Sequence, residues 1–374
     1  MIYNIFVQKY IVFLKYKKVA LVTHSFHKNT KSGEMYMNEI FHDKKSFSVD
    51  IYFNDEWKGS DEEHRFSEII EGYDAVIILQ IISNNLLKYI KDKNIIYMPM
   101  YDAFNDFNSS KTELWMSIAG LKIISTLEKT REILLNAGLS SYRIKYYPKV
   151  ESYKIPNFKN VFFWNRVEKI NYKTVLNLLD EYDFSNLNIH TVPDPGHNPM
   201  KPTEDEVKNF NITFTKWFDN KEFYNNEIEK YGIYIAARPL EGGAASFIDA
   251  MKRGKVVIAP NSSPYNEYIK HNVNGILYDI EYPSSINFDK IDLNKLSKNA
   301  FESVKKGRSE WENSLENLHS FIFDENQFIN SEIYINNYLK IINNKWYKFG
   351  KLSKNKKIRF LLSEVFNIKI NKKN

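Results

Sequence analysis

The stretch Ile233-Tyr234-Ile235-Ala236-Ala237-Arg238-Pro239-Leu240-Glu241-Gly242-Gly243-Ala244-Ala245-Ser246-Phe247-Ile248-Asp249-Ala250-Met251 decides the fold. The apolar run Tyr231–Ala237 reads as a buried parallel strand, too continuous for one exposed face. A turn with Glu241 and two glycines follows. Phe247, Ile248, Ala250 and Met251 then repeat at helical spacing, Gly254 stops the helix, and Val256-Val257-Ile258-Ala259 gives a second strand. In open α/β sheets, ligands bind outside the carboxyl ends of such strands. The glycines let backbone N–H groups approach a phosphate or sugar, and a helix N-terminus favours an anion. Glu241 and Asp249 are separated by seven residues, a little over two helical turns along the chain. Two carboxylates so placed suit the vicinal hydroxyls of one elongated ligand, a sugar or a ribose. Their plainer roles are a loop charge and a solvated helix residue.

Working outward, Lys18–Thr23, Ser48–Phe53, Ala75–Leu79, Asn94–Met98 and Leu121–Thr126 read as strands of a first α/β unit. Helices are expected from about Glu34 to His42, after a Ser32-Gly33 loop, and over Glu128–Ala137, which Gly138 ends. Val161–Arg166, the strand around Asn188–His190, and Asn211–Thr215 continue the pattern in a second unit, with a helix over Lys173–Leu179. Two helices are expected near the end, Leu293–Val304 and Trp311–Phe323. The fold class is α/β: two Rossmann-like domains with parallel sheets, an N-terminal domain over 1–150 and a C-terminal domain over 151–330. Residues 331–374 form a basic, aromatic tail.

At 374 residues the chain is long enough for two such domains. It has no cysteine, which excludes disulfides and thiolate metal sites. No apolar run reaches membrane-spanning length, and Met1–Tyr16 lacks the pattern of a secretory signal. Net charge is +6, concentrated between Lys345 and Lys373, where Trp346, Tyr347, Phe349, Phe360 and Phe366 alternate with cations. Such a tail fits an anionic membrane surface or packing on its own protein. No nucleic-acid motif is present, and nucleic acid is not expected as a partner. His190 and His197 match no metal-ligand spacing and read as strand-end and loop histidines. The dinucleotide fingerprint, the phosphate-binding Walker loop and a donor-like Asp-x-Asp metal motif are all missing. Neither metal nor cofactor is expected.

The run Glu241…Asp249-Ala250-Met251…Gly254-Lys255-Val256-Val257, then Tyr265–Ile269 and Asn272-Val273-Asn274-Gly275, resembles the donor-binding region of nucleotide-sugar glycosyltransferases of the GT-B fold. It is most similar to the retaining family 4 type, although that family's second acid is usually Glu. The resemblance extends from about Lys18 to Phe323, strongest over Glu241–Gly275. It implies two domains facing across a cleft, the second holding a UDP- or GDP-sugar. It also implies sugar transfer to a glycan or lipid-linked acceptor with retention, without metal, in bacterial surface polysaccharide or glycoconjugate assembly. The implied setting is cytoplasmic, with a peripheral contact at the inner face of the plasma membrane.

By the same resemblance, Arg166 and a nearby lysine hold the donor diphosphate. The family spacing lands on Asn171 or Tyr172, so Lys169 in the loop is preferred to Lys173. Glu241 orients the donor sugar, with N–H groups of Gly242, Gly243 and Ala244 on the phosphates, Asp249 on the ribose and Trp217 on the base. Gly33, Tyr101 and Asp102 fall on the acceptor side. Tyr101-Asp102 stands where the family often has a histidine, and Asp102 reads as a catalytic base, a hydroxyl anchor or a cap. Two rival functions share the fold: a non-catalytic partner subunit and a nucleotide-sugar epimerase.

Overall fold

The computed structural model describes residues 16–55, 71–80, 94–103, 118–218 and 220–324. The basic tail, with its membrane reading, and the opening residues 1–15 lie outside the described residues, as does most of the polar stretch Asp55–His64. By backbone contacts the chain divides into two units. One comprises the residues up to Thr126, Thr130–Arg143 and those from Leu315 onward; the other comprises Leu127–Lys129 and Ile144–Ser314.

The first unit is built on six parallel strands: β1 (Lys17–His24), β2 (Phe47–Asn54), β3 (Ala75–Leu79), β4 (Ile95–Met98), β5 (Lys122–Ser125) and β6 (Tyr142–Arg143). Their order is β2-β1-β3-β4-β5-β6. Val19 of β1 sits opposite Val49 on one side and Ala75 on the other. Every residue of β3 is buried, as the unbroken Ala-Val-Ile-Ile-Leu run requires of a strand covered on both faces. The order reverses between β1 and β3, which makes their carboxyl ends the place for a crevice.

The second unit has β7 (Asn160–Trp164), β8 (Asn186–His190), β9 (Ile212–Thr215), β10 (Ile233–Ile235), β11 (Val256–Pro260) and β12 (Ile276–Tyr278), in the order β12-β11-β10-β7-β8-β9. All pairings are parallel. Val161, Phe163, Ile189, Ile233, Ile235, Val256 and Ile258 line one face of the sheet and pack with Val175 and Leu178 of the helix Tyr172–Leu178. Here the order reverses between β7 and β10. Segments leaving those two strands therefore diverge to opposite faces of the sheet, and a crevice opens at the carboxyl ends.

The structure corrects several boundaries. The strand expected over Tyr231–Ala237 pairs only over Ile233–Ile235, although Ala236 and Ala237 stay buried. Ser32 and Gly33 belong to the helix Ser32–Ile40 rather than to a loop before it. The left-handed residue that turns the chain there is Lys31, at φ 55°. The two late helices are one, Leu293–Phe323. Gly307, between the two expected helices, is a packing seat: a Cβ there would lie 2.5 Å from two ring atoms of Tyr147. The short helices Glu204–Asn209 and Lys221–Ile228 were not expected from the sequence; both have side-chain caps, from Thr203 and Asn220.

A four-residue charge cluster at the second switch point

Three loops leave the carboxyl ends of β7, β8 and β10, and each delivers charge to one place. Arg166 follows β7, Asp194 follows β8, and Arg238 and Glu241 follow β10. Arg166 reaches Oδ1 of Asp194 through both Nε and Nη2, at 2.8 Å each. Arg238 Nε lies 3.3 Å from the other oxygen, Oδ2. Glu241 stands opposite, with Oε1 3.4 Å from Arg166 and Oε2 3.8 Å from Arg238. The result is an alternating ring of two guanidiniums and two carboxylates. The arginine side chains are 17% and 23% exposed, so the cluster is neither solvated surface nor sealed core. Burial alone would lower the Arg166 pKa, but Glu241 and Asp194 together raise it, and the guanidinium stays charged.

Each member is held by its neighbours. Trp164 donates its indole N–H to the carbonyl of Val192 at 2.7 Å, tying the end of β7 to the loop that carries Asp194. The backbone N–H of Asp194 donates to the carbonyl of Arg166 at 3.1 Å. The Arg166 guanidinium also lies 4.5 Å from the Trp164 ring centroid, a cation–π contact. On the other loop, the Tyr265 hydroxyl donates to the carbonyl of Arg238 at 2.7 Å and Ser262 to that of Pro239 at 3.2 Å. Loops so pinned deliver side chains with little freedom left to lose on binding.

The same loop runs into the helix Ala245–Lys252, whose N-cap is Ala244. Alanine has no side-chain oxygen to satisfy the first-turn N–H groups, and Gly242, Gly243 and Ala244 lead directly up to them. Asp249 lies farther along this helix, against Arg253 Nε at 3.1 Å and Lys252 at 2.8 Å. Arg253 in turn reaches Glu229 and Asn225. Lys169 leaves the cluster altogether: its ammonium pairs with Glu281 at 2.9 Å, half-exposed. Asn171 is the N-cap of Tyr172–Leu178, accepting from the N–H groups of Lys173 and Thr174. Trp217 is 53% exposed, just beyond β9.

Of the four members of this cluster, sequence reasoning singled out Arg166 and Glu241 but not Asp194 or Arg238. Arg238 was legible as a cation at a strand end, three residues before Glu241. Asp194 was hidden in a Pro-Gly turn, where an acidic residue usually serves the turn itself.

His190 is buried, stacked on Phe218 at 5.0 Å and bonded to Thr215, and desolvation pulls its pKa down to about 4. His197 pairs with Glu168 at 2.6 Å, which draws that carboxyl down to about 2. Among the described residues no group of three metal-ligating side chains occurs.

In the first unit, Tyr101 and Asp102 open a short 3-10 turn after β4, with Tyr101 buried. Asp102 exerts a field on His27 that opposes the effects of burial and of His24, which together lower that histidine's pKa. His27 Nδ1 lies 2.5 Å from the Thr23 hydroxyl, at the end of β1. Gly33 packs on the sheet: a Cβ there would meet Leu21 at 3.0 Å and Leu79 at 3.4 Å. Its role in the described structure is close packing rather than a turn.

No protein-family model and no curated protein sequence matches the chain. Solved structures do. HepE of Anabaena, in complex with UDP and glucose, superposes with a TM-score of 0.60 at 12% identity, over 82% of this chain and 100% of HepE. A glycosyltransferase from Rickettsia africae gives 0.57 at 13% identity, over 83% and 99%. The sucrose-phosphate synthase of Thermosynechococcus elongatus gives 0.53 at 13% identity, over 83% and 98%. At such identity the likeness shows the fold, and that fold is GT-B: two α/β units, each on an all-parallel sheet of six strands.

Proposed function

We propose that this protein is a glycosyltransferase that takes a sugar from a UDP- or GDP-sugar and passes it to a hydroxyl of a glycan or lipid-linked acceptor. The observation that carries this reading is the placement of Arg166 and Glu241 together at the switch point of the second sheet. A similarly folded protein, HepE, has been solved with UDP and glucose. When the bond from the anomeric carbon to the diphosphate oxygen breaks, its electron pair leaves with the diphosphate. Arg166 and the first-turn N–H groups of Ala245–Lys252 meet that developing charge. Glu241 accepts hydrogen bonds from sugar hydroxyls and orients the anomeric carbon. Asp249 is assigned to ribose hydroxyls, and exposed Trp217 to the base face.

The acceptor oxygen attacks from the face that the diphosphate leaves, giving retention, and its proton passes to the departing diphosphate oxygen. No protein nucleophile is required. Two arginines at the site can neutralise the diphosphate, so the proposed reaction needs no divalent metal. Acceptor binding is assigned to the first unit, around Gly33, Tyr101 and Asp102. Surface polysaccharide or glycoconjugate assembly is the proposed setting. Among the described residues no helix is long and apolar enough to cross a membrane.

The test is a panel of UDP-, GDP- and other nucleotide sugars, read first as a thermal shift, since a ligand of the native state raises Tm by mass action. Release of nucleoside diphosphate in the presence of glycan acceptors is read second. A stabilising nucleotide sugar whose diphosphate is released on transfer supports the reading. A protein that none of them stabilises, and that turns none over, is not such an enzyme.

A further inference from the structure

Asp194 joins the two arginines through different oxygens: Oδ1 takes Arg166 and Oδ2 takes Arg238. A phosphoryl group would present a similar pair of oxygens to the same two guanidiniums. Two guanidiniums brought this close repel each other unless an anion lies between them. Each arginine lies nearer to Asp194, at 2.8 and 3.3 Å, than to Glu241, at 3.4 and 3.8 Å. Arg238 is also placed by its backbone, through the Tyr265 hydroxyl on its carbonyl. Lys169, by contrast, is committed to Glu281 at the surface.

We propose that Arg238 is the second phosphate-binding cation of the site, and that Asp194 is a built-in counter-ion which positions both arginines and competes with the nucleoside diphosphate for them. This rests on the glycosyltransferase reading and moves the second cation from Lys169 to Arg238. Before binding, Asp194 holds one guanidinium on each of its two oxygens. When the diphosphate enters, its oxygens take donors that Asp194 gives up. When the sugar has left and only the nucleoside diphosphate remains, Asp194 competes for the arginines again and hastens release. Tight product binding, the expected fault of a two-arginine site, is thereby relieved.

The two residues predict opposite signs. Arg238→Ala removes a phosphate cation and should weaken nucleoside diphosphate binding by about tenfold or more, with Arg238→Lys recovering part of it. Asp194→Asn keeps the shape, removes the competing charge, and should tighten the same binding by a factor of about three to ten. Turnover in Asp194→Asn should fall, because release slows and the arginines lose their orientation. A merely structural role would weaken binding in both.

Calorimetric titration of UDP, GDP, ADP and CDP into the full chain checks this, using whichever binds the parent protein, with inorganic pyrophosphate as a probe free of base contacts. Melting curves establish that each variant is folded, and Lys159→Ala, before the amino end of β7, serves as a charge-matched control. If Arg166→Ala loses binding while Arg238→Ala and Arg238→Lys bind like the parent, the glycosyltransferase reading stands and this inference falls. If Asp194→Asn binds more weakly than the parent, the counter-ion role falls. If the parent binds none of the four nucleotides, both go.

Discussion

Tyr265 donates its hydroxyl to the carbonyl of Arg238 at 2.7 Å, and this one bond fixes the start of the loop that carries Glu241. The tyrosine is buried, and its ring packs against Phe247 of the following helix at 4.9 Å. A single side chain thus couples the helix Ala245–Lys252 to the loop that leads into it.

Tyr265→Phe should keep the ring packing and lose only the hydroxyl. Losing this hydrogen bond to a part-buried carbonyl should cost about 0.5–1.5 kcal/mol. Urea unfolding should show that loss with an unchanged m-value, and nucleoside diphosphate affinity should drop as Arg238 gains freedom. Stability within about 0.5 kcal/mol of the parent would mean that the bond does not hold the loop.

Removing Arg166 tests the leaving-group contact. Arg166→Ala should lower turnover on the order of a hundredfold or more, the usual effect of deleting one charge-assisted contact to a developing anion. Glu241→Gln should reduce kcat more than it raises the donor Kd if, as proposed, Glu241 orients the reacting sugar. Steady-state kinetics with donor titrations separate the two effects. Parental kcat in purified Glu241→Gln would remove Glu241 from the chemistry.

Gly307→Ala should destabilise the protein, against helix propensity. Alanine in place of glycine inside a helix gains about 1 kcal/mol. Here the added methyl would meet the Tyr147 ring at 2.5 Å, and overpacking of that kind costs about 1–3 kcal/mol. The clash is with a ring wedged against Tyr268, which cannot swing away cheaply. A melting temperature above the parent's would show that Tyr147 yields.

Lys255 makes stability depend on pH. It is fully buried with its ammonium on the carbonyl of Tyr231 at 2.5 Å, and desolvation pulls its pKa down to about 8 from 10.5. Below pH 8 the lysine is charged in both states, and burial costs its full amount. Between about 8 and 10.5 the native lysine is neutral while the unfolded chain still binds the proton, so this contribution to stability rises with pH. Lys255→Met should therefore be the more stable protein at pH 7, by about 1 kcal/mol or more after the lost hydrogen bond is counted. Its advantage should shrink by pH 9.5, as paired unfolding curves at the two pH values would reveal. A constant difference would mean that Lys255 does not titrate in that range.

Much of this protein was determined by local sequence. Unbroken apolar runs such as Ala75–Leu79 and Val256–Ala259 read as strands covered on both faces, and they lie in buried strands. Gly138 and Gly254 end helices at positive φ because other residues would be strained there. Arg166 and Glu241 could be singled out because each follows a strand at its carboxyl end. Tertiary structure decided the rest. Asp194 and Arg238 meet Arg166 only because β10 inserts beside β7 while β8 lies on its other side, and strand order is not written in any local window. The commitment of Lys169 to Glu281 had the same origin, since a partner 112 positions away leaves no mark on local spacing. So did the single helix Leu293–Phe323, in which the Tyr147 ring takes the space a side chain at Gly307 would have filled. Periodicity and turn chemistry act between neighbours in sequence. The charge cluster is an encounter of four loop residues, and only the order of the strands beneath them brings it about.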